Sequence, residues 1–223
     1  MKNLLLFSFL LCLNLPSISQ IIMMNREYQG YYQNIKREIN YSEIEGSPYL
    51  QSNLYYGIVY FQSSDTMHVY MRYNVYTEEI EYLDNKLIKV ITNPSFINKI
   101  ELNGRIFRYK VGFDSKNKLK GEFFIELHKG EINLYKKPRI IFNEKEPPKN
   151  GYVEAKPDRF TRLRDSFYYE KDGNIYLIKD SKSALRKIFS ENIKEIEAYL
   201  KANKIKPSSE KDLIELFYYA NSL

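Results

Sequence analysis

Arg72 lies in the run His68-Val69-Tyr70-Met71-Arg72-Tyr73-Asn74-Val75-Tyr76, and if that run is a strand, Tyr70, Arg72, Asn74 and Tyr76 share one face. A guanidinium flanked by phenol rings and an amide can hold an anionic or sugar-like ligand through forked hydrogen bonds and stacking. The same groups also serve ordinary sheets as cross-strand partners. Paired carboxylates are a second possible chemistry. Glu78, Glu79, Glu81, Glu122 and Glu126 lie on or near candidate strands, and two of them meeting in a cleft could divide general-acid and general-base work on a glycosidic bond. The spacing selects no pair. Glu122 and Glu126 share a strand face, where solvent or cross-strand ion pairing accounts for them.

Other chemistries are excluded by what the chain lacks. His68 and His128 are the only histidines, both on candidate strands, and neither has a second ligand at metal-site spacing, so no metal is expected. There is no Gly-x-Ser-x-Gly elbow for a serine nucleophile. Phosphate-cradling loops are missing too, and nine glycines leave little material for them, so no nucleotide or other cofactor is expected. No catalytic set emerges. The formal charge of +6 is spread among interleaved acids and forms no nucleic-acid stripe. Lys136, Lys137 and Arg139 read as a solvated strand end, while Arg159, Arg162 and Arg164 form a second cluster that could meet a ligand.

The first residues carry an address. Lys2 precedes an apolar run from Leu4 to Leu15, about 12 residues and too short to span a bilayer; Pro16 then breaks it ahead of Ser17-Ile18-Ser19. Residues 1–19 therefore read as a cleavable secretory signal, with the mature protein beginning at Gln20. A lipid anchor at Cys12 is the competing reading, but leucines flank that cysteine where a lipobox wants a small residue before it and polar ones after. Cleavage removes the only cysteine, so neither a disulfide nor a thiolate metal site is expected. No other segment approaches the roughly 20 apolar residues of a span. The expected location is the periplasm or cell envelope, or outside the cell.

The elements that must position these residues are mostly strands. With 21 Tyr, 13 Phe and no Trp, the composition favours pleated, half-buried surfaces. Residues 20–49 form an ambiguous lead-in, in which Tyr28, Tyr32, Ile35 and Ile39 recur at helical spacing around an unfavourable Gly30. Period-two runs follow at 55–61, 68–76, 80–83, 87–91, 99–102, 106–113, 121–127 and 132–136, with a last hairpin of 167–171 and 174–178. Asn103-Gly104 and Asp172-Gly173 are the strongest hairpin signals, because both residue types tolerate positive φ. The aperiodic stretch Asn143 to Gly151 reads as an exposed connection and a candidate boundary.

No helix interrupts these strands, so the expected fold is α+β: a curved antiparallel sheet or open barrel, built as a meander over 50–178, followed by a three-helix appendage over 179–223. Asp180 or Ser181, Ser190, and Ser209 with Asp212 supply N-caps. The short helices carry apolar stripes they cannot bury alone, so they should pack on each other and on the sheet.

Gly46-Ser47-Pro48-Tyr49-Leu50, Gly57-Ile58-Val59-Tyr60, Met71-Arg72-Tyr73-Asn74-Val75-Tyr76, Lys156-Pro157-Asp158-Arg159-Phe160 and the ending Leu216-Phe217-Tyr218-Tyr219-Ala220-Asn221-Ser222-Leu223 give the chain a likeness spanning most of its mature length. On these stretches it resembles an uncharacterised group of exported proteins from Bacteroidota-type bacteria. The resemblance implies an extracytoplasmic address and no assigned activity. The leading expectation is an envelope protein that is a non-enzymatic binding or structural module for a protein partner, glycan or apolar ligand. The alternatives are a carboxylate-dependent hydrolase of envelope sugars and a periplasmic lipid carrier, the latter requiring a continuous apolar cavity.

Overall fold

The structure is a computed structural model describing residues 41, 44–113, 119–147 and 155–223. The signal segment 1–19, the mature start at Gln20 and the helical spacing at 28–39 lie outside the described residues. Ten strands run β1 (Tyr55–Phe61), β2 (Thr66–Asn74), β3 (Glu79–Asp84), β4 (Leu87–Val90), β5 (Ile97–Leu102), β6 (Arg105–Phe113), β7 (Leu119–His128), β8 (Asn133–Asn143), β9 (Arg159–Lys171) and β10 (Asn174–Leu177). They form one sheet in the order β10-β9-β8-β7-β6-β5-β1-β2-β3-β4, with every pairing antiparallel. Helices α1 (Lys182–Ile188), α2 (Ile193–Ala202) and α3 (Glu210–Ala220) follow. The fold is α+β, a curved, unclosed meander sheet with a C-terminal helical appendage. None of the described helices is long and apolar enough to cross a membrane.

Alternation sets the inner face. Met71, Tyr73 and Val75 are buried while Tyr70 and Tyr76 are exposed. Tyr73 packs against Phe107 at 5.3 Å and Phe123 at 6.3 Å between ring centroids, although neither β6 nor β7 neighbours β2 in the sheet. The inner face therefore curls onto itself around a core that includes Val59, Met71, Ile80 and Ile100. Beyond β6 the sheet bends the other way. Lys110 of β6 donates to Glu170 of β9 at 2.7 Å across two intervening strands, over a buried layer of Phe124 and Tyr135.

The turn chemistry follows the residues. Asn103 and Gly104 sit at φ 48° and 71°, and Asp172 and Gly173 at 52° and 74°, the left-handed pair that a two-residue hairpin needs. Asn85 and Lys86 adopt the same conformation between β3 and β4.

β8 and β9 are longer than their apolar patterns suggest. Their ladder runs from Asn133↔Glu170 to Asn143↔Arg159, with a register shift between Lys137 and Arg139. Pro138 lies at that shift, where an absent N–H leaves no ladder bond broken. The stretch after Asn143 thus joins two halves of one long hairpin and marks no boundary; Glu146↔Lys156 extends the pairing.

A strap precedes β1. Glu45 accepts from Phe160 N at 2.8 Å, Pro48 O accepts from Val75 N at 2.8 Å, and Leu50 N donates to Tyr73 O at 3.0 Å. Residues 45–50 thereby tie the start of β9 to the end of β2 across the sheet's open side. Gly46 is required there: its φ is 80°, and a Cβ would lie 2.5 Å from the Phe160 carbonyl oxygen.

The helices bury their stripes against the sheet, because Leu185, Ile196, Leu200, Leu213, Leu216 and Phe217 share a second core with Ile132, Leu134, Phe167 and Ile178. Ser181 caps α1, its Oγ accepting from Ala184 N at 3.1 Å, and Ser209 caps α3, accepting from Asp212 N at 3.3 Å. Ser190 does not cap α2. It opens a single 3-10 turn, Ser190–Asn192, that leads into the helix.

Candidate functional site

The most exposed aromatic surface among the strands lies on the outer face of β1 and β2. Val59 and Phe61 point inward, so Tyr56, Ile58 and Tyr60 point outward, and the register sets Tyr56 opposite Tyr70 and Ile58 opposite His68. Tyr56 is 57% exposed and Tyr70 53%, their rings 5.5 Å apart and edge to face. The Tyr56 hydroxyl is 3.3 Å from His68 Nδ1. β5 extends this face on the other side, where Ile58 pairs with Glu101 and Glu101 with Ile106. An open groove of about 400 Å³ runs along it, walled by Tyr56, Gly57 and Ile58 and by the β5–β6 hairpin from Glu101 to Ile106. At its end the Asn103 amide donates to Gln51 Oε1 at 2.6 Å.

Several charged groups on this face are matched within the protein, while Arg105 in the groove wall donates to the Asn103 carbonyl oxygen at 3.3 Å. Lys99 donates to Glu101 at 2.6 Å and lies over the Tyr60 ring, while the Tyr60 hydroxyl donates to the other Glu101 oxygen at 3.0 Å. These two hydrogen bonds, Lys99 first, hold the Glu101 carboxyl below the usual range. Arg108 donates to Glu126 at 2.8 Å.

The four residues singled out by the alternation part company in three dimensions. Tyr70 belongs to the aromatic face. Arg72 is held by the protein's own acceptors: Glu81 Oε2 at 2.8 Å, Ser52 O at 3.1 Å and the Tyr49 hydroxyl at 2.7 Å. Asn74, only 1% exposed, donates to Glu81 Oε1 at 3.1 Å and accepts from Thr77 N at 3.1 Å. Arg72, Asn74, Glu81 and Tyr49 thus form a latch holding the strap. Burial, then the Glu81 charge, pushes the Tyr49 phenol up to about 12. Tyr76 packs on Phe160 at 5.2 Å and on Phe142 at 6.2 Å. Tyr56 was not singled out by sequence; its signal was the Ser63-Ser64-Asp65 turn, whose register brings it opposite Tyr70.

Two of the carboxylates do converge. Glu78 Oε1 and Glu122 Oε2 accept from Lys137 Nζ at 3.0 and 2.5 Å, and Lys120 lies 2.6 Å from the other Glu122 oxygen. Lys137 is 8% exposed, which corrects its reading as part of a solvated strand end. A glycosidase acid must hold a proton near neutrality. Burial works to raise the Glu122 value, but the hydrogen bonds from Lys120 and Lys137 outweigh it and keep the carboxyl ionised. Beside this pair, Tyr73 Oη, Thr77 Oγ1 and Glu78 Oε2 are buried without a hydrogen-bond partner. Glu126 is the cross-strand ion partner of Arg108, as its face suggested.

His68 and His128 stand on β2 and β7, His128 against the Tyr218 ring at 6.0 Å with its imidazole pushed down by burial. Among the described residues no group of three or more His, Cys, Asp or Glu could hold a metal ion. Of the arginine cluster, Arg162 donates to Asp165 at 2.6 Å, Arg164 faces Asp180 at 3.6 Å, and Arg159 pairs in the ladder with the strap. The cavity between Tyr73, Leu102 and Phe107 measures about 10 Å³, room for one water but not an acyl chain. Comparison of the chain with protein-family models, with curated proteins and with solved structures finds no match.

Proposed function

We propose that this chain is an exported envelope protein that acts as a non-enzymatic binding module, taking a glycan on the outer face of β1, β2, β5 and β6. The observation that carries this reading is the exposed Tyr56–Tyr70 ring pair at the mouth of the groove. Soluble proteins scatter apolar residues singly on their surfaces, whereas grouped aromatic rings beside a groove mark contact sites. Phenols offer a flat apolar face and a polar tip, which suits a sugar ring with its C–H faces and hydroxyls. Export is supported by residues 1–19 and by the resemblance to exported Bacteroidota-type proteins. The engagement of Glu78 and Glu122 by lysines argues for binding without hydrolysis.

The experiment is an oligosaccharide array probed with the wild type and with Tyr56→Ala, Tyr70→Ala and Tyr218→Ala. Tyr218 is a control, exposed but on α3. Signals are expected for the wild type and Tyr218→Ala, and about tenfold weaker for the two groove-side variants, the scale of one buried aromatic contact. Equal signals from all four proteins, or none from any, would remove the basis of the reading.

A further inference from the structure

Resting on that reading of the outer face, we infer that the groove prefers an acidic saccharide, with Arg105 as the residue that holds its carboxylate. Two charged residues wall the groove, Glu101 and Arg105, and only the first is balanced. Glu101 accepts from Lys99 Nζ at 2.6 Å and, on its other oxygen, from the Tyr60 hydroxyl at 3.0 Å. Arg105 donates through Nη1 to the Asn103 carbonyl oxygen at 3.3 Å, a long bond to a neutral acceptor, and among the described residues no carboxylate pairs with it. The other arginines near this face are matched, Arg72 by Glu81 at 2.8 Å and Arg108 by Glu126 at 2.8 Å. The groove wall therefore carries one uncompensated positive charge.

The β5–β6 turn puts that charge within a ligand's reach. Arg105 pairs with buried Leu102 across the turn, so its stem starts on the inner side of the sheet, and its guanidinium folds back to the tip of the hairpin. The residue lines both the groove and the small cavity beside Gln51 and Tyr55. Space at the tip is open, since a Cβ added at Gly104 would meet nothing within 4 Å. A guanidinium presents a flat fork of N–H donors that fits a carboxylate, and the Asn103 carbonyl takes one of them. Capturing an acid here breaks no internal ion pair, whereas an acid drawn to Arg72, Lys99 or Arg108 would have to leave Glu81, Glu101 or Glu126 uncompensated. A sugar ring stacked on Tyr56 with its carboxylate toward the hairpin gains the aromatic contact and the charge-assisted bond together.

The test is calorimetric titration of the purified protein with acidic oligomers from polygalacturonate and alginate, and with cellohexaose and xylohexaose as neutral oligomers of similar length. Each is run at about 0.05 M and about 0.5 M NaCl, where exposed charges are screened weakly and strongly. At low salt the wild type is expected to bind at least one acidic oligomer about tenfold more tightly than the neutral ones, the scale of one hydrogen bond to a charged group, and to lose most of that preference at high salt. Arg105→Gln should bring acidic binding down to the neutral level while leaving neutral binding as it was. Arg105→Lys, which keeps the charge without the fork, should retain part of the salt-sensitive preference. No preference for acidic oligomers in the wild type, a preference that survives Arg105→Gln, or a parallel loss of both classes in that variant would overturn the inference while leaving the face as a glycan platform. Absence of heat with every oligomer in both classes would overturn the reading of the face itself.

Discussion

At the scale of single residues, the strap makes the sharpest demands. Gly46→Ala must place a Cβ against the Phe160 carbonyl and hold a left-handed φ, whereas Gly104→Ala meets only the second difficulty, having open space around it. The left-handed conformation costs about 1–2 kcal/mol for a side-chain-bearing residue. Gly104→Ala should lose about that much, and Gly46→Ala clearly more, in chemical denaturation at neutral pH. Equal losses would mean the strap moves aside freely. Lys137→Ala leaves Glu78 and Glu122 facing each other with only Lys120 between them, and stability should drop by about 3 kcal/mol. Lys137→Met, of similar reach and without charge, does not rescue it, because the two carboxylates remain.

Acid exposes the same carboxylates. Glu122 and Glu170 both titrate below the ordinary glutamate value of 4.5: in each, burial acts to raise the value, but hydrogen bonds from lysines, and for Glu170 also from Tyr135 and Asn133, prevail. A depressed carboxyl contributes stability that is fully present above the unfolded-state value and is lost as pH falls through the folded-state value. The thermal midpoint should therefore hold from neutrality to about pH 5 and decline below pH 4.5. Glu170→Gln should start lower at neutral pH and decline less steeply in acid. A parallel decline in both proteins would show that Glu170 carries no part of the acid sensitivity.

Among the elements, those with a plain period of two were legible from sequence. β1 matches its expected span to the residue, and β2 through β7 fall within two residues of theirs, because one face of each is buried and every second side chain reports it. The first half of β9 and the second half of β8 were not. Arg159, Arg162, Arg164, Lys137 and Arg139 give those stretches the look of a loop, and Pro138 argues against a strand unless a bulge is known to lie there. The strap has no periodicity and finds its partners at Tyr73, Val75 and Phe160, far along the chain. For the site, alternation was enough to find Tyr70 and to group it with Arg72, Asn74 and Tyr76. The separation of those four depends on Tyr49, Glu81, Phe142 and Phe160, which only tertiary structure brings near. Caps act at this scale too: Ser209→Ala should lower stability by about 1 kcal/mol by leaving Asp212 N without its acceptor, measurable as a smaller denaturation midpoint at unchanged slope.

For the whole molecule, sheet and helices are joined by shared contacts that should make them unfold together. Leu127 packs against both cores, and Asn221 at the end of α3 donates to Ile132 O at 3.0 Å while its own Oδ1 accepts from Ile132 N at 2.9 Å. Phe217, fully buried at the centre of the helical core, should cost about 3–5 kcal/mol when replaced by Ala. Far-ultraviolet and tyrosine near-ultraviolet transitions are expected to remain coincident in that variant; separate transitions would show the helices melting on their own. The paired strands β1 and β2 present the Tyr56–Tyr70 face as a preformed surface, so ligand binding should order little and leave the core unchanged.

The most direct measurement is a nuclear magnetic resonance titration of protein carrying ring-labelled tyrosine against the oligosaccharides that bind. Expected are shifts confined to the ring signals of Tyr56 and Tyr70, with smaller ones at Tyr60, while buried Tyr73, Tyr82 and Tyr135 stay where they were. Shifts centred on Tyr199, Tyr218 and Tyr219 of the helices, or no shift at Tyr56 and Tyr70 under saturating sugar, would show that the outer face of β1 and β2 is not where this protein meets its ligand.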